Sequence, residues 1–195
     1  MYKITVLFIS LFVISVSANA QQYAVTVNYV TTDGSHNPSY IFYDGKRNLT
    51  WGDFKAPPCN DCIEAALTNS GMGFNFAFSS DGRATTLIIN VFCYFDKSQS
   101  WVKPIGHNDY VLRHEQDHYD ITYIGTMHFI QAVRAANITA SNYNGLLTKL
   151  YQESVTSMKD MQDQYDNETD HSLIKDKQEA WNEKIDAELA VLKNN

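Results

Sequence analysis

Polar and apolar residues alternate over Tyr23–Val30, "YAVTVNYV", and the segment is rich in β-branched and aromatic side chains, which predicts a strand. Turn residues "TTDGSHNPS" follow, then a short strand "YIFYDG" and a loop "WGDFKAPPC". The stretch "GMGFNFAFSSDGRATTLIINVFCYFD" has two apolar arms about Ser79-Ser80-Asp81-Gly82 and predicts a hairpin. After Ser100-Trp101-Val102 and Pro104 the period changes from two to three and four. A first helix is expected from Asn108 or Asp109, either of which can cap it, to about Ala136. A second carries Leu147, Leu150, Tyr151, Ser154, Met158, Met161 and Tyr165; a third carries Ile174, Trp181, Ile185, Leu189 and Leu192. Strands first and helices afterwards predict an α+β fold, an antiparallel sheet in the N-terminal half packed against C-terminal helices. No internal repeat, low-complexity tract or linker interrupts the pattern.

Residues 1–20 stand apart. Lys3 precedes an apolar run from about Ile4 to Val16, which closes on Ala18-Asn19-Ala20, the form of a secretory signal with its cleavage site. The expected mature chain, 21–195, is long enough for one domain with a sizeable core. Export to the periplasm or the exterior is the expectation, with no membrane insertion after signal cleavage because no later segment is long and apolar enough. The net charge of the whole chain is −7, and its basic residues form neither cluster nor stripe, which argues against a nucleic-acid partner. Export permits a disulfide among Cys59, Cys62 and Cys93, three residues that cannot all pair and that spacing alone does not assign. Cys59-Asn60-Asp61-Cys62 has redox-motif spacing, but no βαβ alternation surrounds it, so a structural clamp is favoured.

The first predicted helix contains "LRHEQDHYDI". His114 and His118, four apart, share one face and can offer ring nitrogens to a single ion, and zinc suits imidazole. Glu115 stands beside such a metal without being a ligand, placed to take a proton from water; this is the H-E-x-x-H arrangement of zinc proteases. Asp117 puts a charge where those enzymes usually have none. A catalytic zinc needs a third protein ligand and an open fourth position. Asp120 points about 200° round the helix from His118, and His128 lies about 15 Å along it, so neither serves. A third histidine six residues after the second is also absent, the position being Ile124. The best remaining segment is "YDNETDHS", expected as a turn between the second and third helices, with Thr169 or Asp170 capping the third. It offers Asp166, Glu168, Asp170 and His171, and on chemistry alone His171 and Glu168 are equally good ligands. His36 and His107 fall in loops and have no motif. Tyr119, Tyr123 and Tyr165 could polarise a carbonyl, although such tyrosines more often pack.

"LTWGDFK", "SWV", "LRHEQDHYDI" and "YDNETDHSLIKDKQEAW" together resemble the bacterial family called domain of unknown function nine-two-two, exported proteins described as zinc-dependent proteases. The likeness runs from about Asn48 to Leu192, and its most specific elements are Tyr165, Asp166, Glu168, Thr169, His171, Gln178 and Trp181. It implies a zincin-like helix bearing His114, Glu115 and His118, a Zn2+ cofactor, and a protein or peptide substrate. It ranks His171 first as third ligand, with Glu168 or Asp166 next, and allows Asp166 to hold a ligand histidine instead. The family pattern usually has glycine where this chain has Ser172. Its segment around Cys59 and Cys62 does not need cysteines, which again favours a clamp. The strand around Leu87–Tyr94 is the expected wall for an extended substrate, by fold analogy. A zinc-stabilised binding protein of the cell envelope, without turnover, is the alternative from a different class.

Overall fold

The computed structural model describes residues 22–81 and 84–193. The expected signal segment and Gly82 of the expected hairpin turn lie outside the described residues.

Strand β1 (Gln22–Tyr29) is followed by β2 (Tyr40–Phe42), β3 (Ala66–Leu67), β4 (Ser70–Ser80), β5 (Ala84–Asp96) and β6 (Trp101–Val102). Helices α1 (Asp109–Ala135), α2 (Tyr143–Thr169) and α3 (Lys175–Lys193) complete the fold, so strands occupy the N-terminal half and helices the C-terminal half. β5 organises the main sheet. β4 runs antiparallel along one side of it, with Phe74 opposite Val91. On the other side β1 runs parallel, with Val27 opposite Ile89, and β2 pairs antiparallel farther along, with Phe42 opposite Tyr94. The sheet is therefore mixed, not antiparallel as the order of strands and helices predicts. The β4–β5 hairpin is a local contact that turn residues announce. The β1–β5 pairing joins segments some sixty residues apart, and alternation along a strand carries no information on its neighbour's direction.

One face of the sheet is dry. Leu87, Ile89, Val91, Cys93 and Phe95, every second residue of β5, have no exposed surface. Against this face α1 lays Ile121, Ile124, Phe129, Ile130 and Val133, and α2 and α3 add Leu147, Met158, Tyr165, Trp181, Ile185 and Leu189. Helix α1 is central, in contact with β1, β4, β5, α2 and α3. Its start is well defined, because the Asn108 side chain accepts a hydrogen bond from the Val111 N–H at 3.0 Å. Gly125 lets α2 approach closely: a Cβ there would stand 2.8 Å from Cβ of Met158.

Two local expectations are corrected. The start of "YDNETDHS" is not loop. Residues 165–169 form the last turn of α2, tightened by Thr169 Oγ1 donating to Tyr165 O at 2.8 Å. Asp170 does not cap α3; it ends α2 in the left-handed conformation (φ 47°), and His171 and Ser172 continue left-handed at 52° and 74°. The segment contains no glycine or proline, the residues that most strongly mark a helix end, so the boundary was not visible in composition.

Candidate metal centre

The one-turn spacing of His114 and His118 brings their rings to a centroid separation of 4.7 Å and their Nε2 atoms to 3.2 Å. The last turn of α2 crosses this face of α1 and delivers Asp166, whose Oδ1 lies 3.2 Å from His114 Nε2 and 3.0 Å from His118 Nε2. His114, His118 and Asp166 form a group that could hold a metal ion.

Both rings are aimed from behind by glutamines. His118 Nδ1 donates to Gln162 Oε1, and that amide is anchored because its Nε2 donates to His118 O at 2.8 Å and to Thr122 Oγ1 at 3.1 Å. His114 Nδ1 faces Gln178 Oε1 at 2.9 Å, while Gln178 Nε2 donates to the Tyr165 hydroxyl at 2.5 Å. With Nδ1 engaged in this way, each ring directs Nε2 at Asp166. The Tyr165 ring also stacks on His114 at 4.6 Å.

The charges within the cluster favour a proton on His118. Burial works against a charged His118, yet the hydrogen bond and negative charge of Asp166 outweigh it and lift the imidazole to about 9. Burial likewise opposes an ionised Asp166, but hydrogen bonds from His114 and His118 hold its carboxyl below the usual carboxylate range.

The cluster opens on a cleft of about 290 Å³. One wall is α2, with Met158, Lys159 and Gln162; the other is the extended segment 64–70, which includes β3. Glu115 lines the floor. It is 3 % exposed, and its Oε2 is buried without a hydrogen-bond partner among the described residues. A buried carboxylate oxygen is costly unless something polar meets it, and none of the described residues meets this one. Thr68 Oγ1, donating to Glu115 O at 3.1 Å, ties the segment 64–70 to α1.

The other predicted residues separate cleanly. His171 lines the cleft, but its Nδ1 stands 3.5 Å from Asp166 Oδ1, outside the three-residue group. Glu168 is turned away: it accepts from Gln164 Nε2 at 2.7 Å and from Trp181 Nε1 at 2.8 Å. Asp120 is buried off the site, held by Gln116 Nε2 at 3.0 Å, and His128 pairs with Glu188 at 3.1 Å. His36 sits in a loop with φ 55°, and His107 lies against the Trp51 ring at 5.4 Å. Tyr119 donates to Ile41 O, and Tyr123 stacks on Tyr43. Neither these histidines nor Tyr119, Tyr123 and Tyr165 line the cleft. The Leu87–Tyr94 strand does not line it either, because β5 is paired on both sides; segment 64–70 takes that position.

Asp117, the unexpected charge within the motif, is buried outside the cleft. Arg113 Nη2 meets its Oδ1 at 3.0 Å and also pairs with Asp186 at 2.9 Å. Burial pushes the Asp117 carboxyl up to about 7 in spite of that arginine. Cys59 and Cys62 form the disulfide, and Cys93 is free and buried, its thiol pushed above the usual range by burial.

Gln162 was not singled out by the sequence pattern. It stands four residues before Asp166, so the shared helix face was available as a clue. No helix among the described residues is long and apolar enough to cross a membrane. No model of a protein family, no curated protein and no solved structure matches this chain.

Proposed function

We propose that the protein is an exported zinc-dependent hydrolase acting on peptides, with the metal held by His114, His118 and Asp166. The observation that carries this reading is the opening of the donor triangle onto a cleft that Glu115 also lines, its Oε2 without a hydrogen-bond partner among the described residues. The donors fit zinc. Ligand atoms at tetrahedral zinc distances stand about 3.3 Å apart, and here the separations are 3.0–3.2 Å. Two imidazoles and one carboxylate are also a known catalytic donor set. The resemblance to proteins of domain of unknown function nine-two-two points the same way, although it ranks His171 ahead of Asp166 as third ligand. The secretory form of residues 1–20 supports export.

Zinc held by these donors would supply Lewis acidity, lowering the pKa of water and polarising an acyl oxygen. The chain supplies the rest. Glu115 accepts the proton of the attacking water and returns it to the leaving amine. Gln162 and Gln178 keep the two imidazoles from rotating. The wall at 64–70 includes β3, which is paired by β6 on one side only, so an extended peptide can lie along it.

Glu115→Gln tests the reading. The variant should bind zinc as the wild type does and lose at least about 100-fold in peptide cleavage, measured by metal analysis beside a peptide-cleavage assay. Equal rates for a zinc-loaded variant and wild type would refute the mechanism. A zinc-stabilised binding protein without turnover is the second reading. His171 favours it, being near enough to Asp166 to compete for the open position, and it requires an inert wild type that retains zinc.

A further inference from the structure

We propose that His171 is a catalytic residue, a ring N–H donor to the substrate oxygen that gains negative charge during hydrolysis. The inference rests on the hydrolase reading above and adds a protein donor to a role which that reading gives to the metal alone. Acyl transfer in a water-poor cleft needs a donor aimed where charge develops.

Elimination among the side-chain nitrogen donors of the cleft leads to it. His114 and His118 belong to the metal cluster, and the Gln162 amide is spent on His118 O and Thr122 Oγ1. The side chains of Asn69, Lys159 and His171 make no hydrogen bond among the described residues. Asn69 is exposed on the opposite wall. Lys159 stands seven residues before Asp166, about 10 Å along α2. His171 alone adjoins the cluster. Its Nδ1 stands 3.5 Å from Asp166 Oδ1 without a hydrogen bond, so a ring N–H remains for substrate.

Backbone strain is the independent observation. Asp170, His171 and Ser172 are three successive non-glycine residues in the left-handed region, with φ of 47°, 52° and 74°. Each is disfavoured on steric grounds, and such residues persist where surrounding contacts enforce them, often at functional sites. The contacts here are His171 N–H to Asp166 O at 3.1 Å, Ile174 N–H to Thr169 O at 2.9 Å, and the Tyr110 hydroxyl to Ser172 O at 2.8 Å. The last ties the turn to the start of α1, so one helix governs both the metal cluster and the position of His171. The step asked of His171 is hydrogen bonding only; the proton that moves is carried by Glu115.

The test compares wild type, His171→Ala, His171→Gln, Asn69→Ala and Lys159→Met. Each is assayed for bound zinc, thermal transition and cleavage of a fluorescence-quenched random peptide mixture, then of the peptide that the wild type cuts fastest. His171→Ala should keep zinc and fold, leave KM little changed and lower kcat by about 100- to 1000-fold. His171→Gln, which retains an N–H, should recover part of that loss. Zinc loss from both His171 variants with the fold intact would make His171 a ligand and overturn the proposal. An unchanged kcat, or a larger kcat loss in Asn69→Ala or Lys159→Met, would overturn it as well. A zinc-loaded wild type that cuts no peptide would instead bring down the hydrolase reading itself, and this inference with it.

Discussion

Replacing Asp166 with Asn separates the two things that this carboxylate does. In the metal-free protein burial opposes a charged His118, but Asp166, with smaller contributions from Glu115 and Gln162, lifts it from its ordinary 6.5 to about 9. A rise of that size corresponds to about 3 kcal/mol of interaction favouring the charged imidazole. The Asp166 side chain is 29 % exposed, and solvent screening reduces the contribution to roughly 1–2 kcal/mol. Because the folded-state pKa of His118 is the raised one, this stability is fully present below pH 6.5 and is lost as pH climbs through about 9. Urea unfolding of chelator-treated protein should therefore show Asp166→Asn less stable than wild type by roughly 1–2 kcal/mol at pH 5.5, with the gap closing by pH 9.5. At pH 5.5 the wild-type carboxylate is still ionised, since its pKa is depressed. Zinc changes the comparison: the variant loses its anionic donor, and affinity should fall by more than about 100-fold, beyond what loss of an outer hydrogen-bond partner causes. A gap that is absent at pH 5.5, or that widens toward pH 9.5, would refute the assignment of this pair. Undiminished zinc affinity would remove Asp166 from the ligand set.

Two further changes probe the scaffold. Gly125→Ala places a methyl group 2.8 Å from Cβ of Met158. The crowding between α1 and α2 should cost about 2–3 kcal/mol and outweigh the roughly 1 kcal/mol gained in helix propensity, read as a lower urea midpoint with unchanged slope; a stabilised variant would show that the helices part freely. Cys59 and Cys62 are three residues apart, so replacing both with Ser should cost only about 1–2 kcal/mol by loop entropy and leave bound zinc unchanged in metal analysis, because the clamp lies outside the metal cluster. A loss of zinc on that change would show that the clamp positions the cleft wall.

The helix carrying the motif was legible in the sequence almost to the residue. Periodicity and a polar cap are local properties, and Asn108 caps α1 as its side chain predicts. His114 and His118 were legible for the same reason: residues four apart on a helix must face together, whatever surrounds them, and Glu115, three before His118, lies beside that face. The strand half was readable in its parts but not in its assembly. Leu87, Ile89 and Val91 alternate and are buried, yet nothing in them states that β1 would lie parallel beside them.

The third donor depended on tertiary structure. Asp166, Glu168 and His171 lie within six residues, all with acceptable chemistry. Which one meets the histidines depends on how far α2 continues and where it crosses α1. Because α2 runs on to Thr169, Asp166 faces the rings, Glu168 points toward Trp181, and His171 is carried past the helix end into a left-handed turn. A displacement of one residue rotates a helical side chain by about 100°, so composition cannot choose among neighbours that packing separates. The sequence alone determined that two histidines and a glutamate share a face; the crossing of two helices, set by burial around Gly125 and Met158, decided what they face.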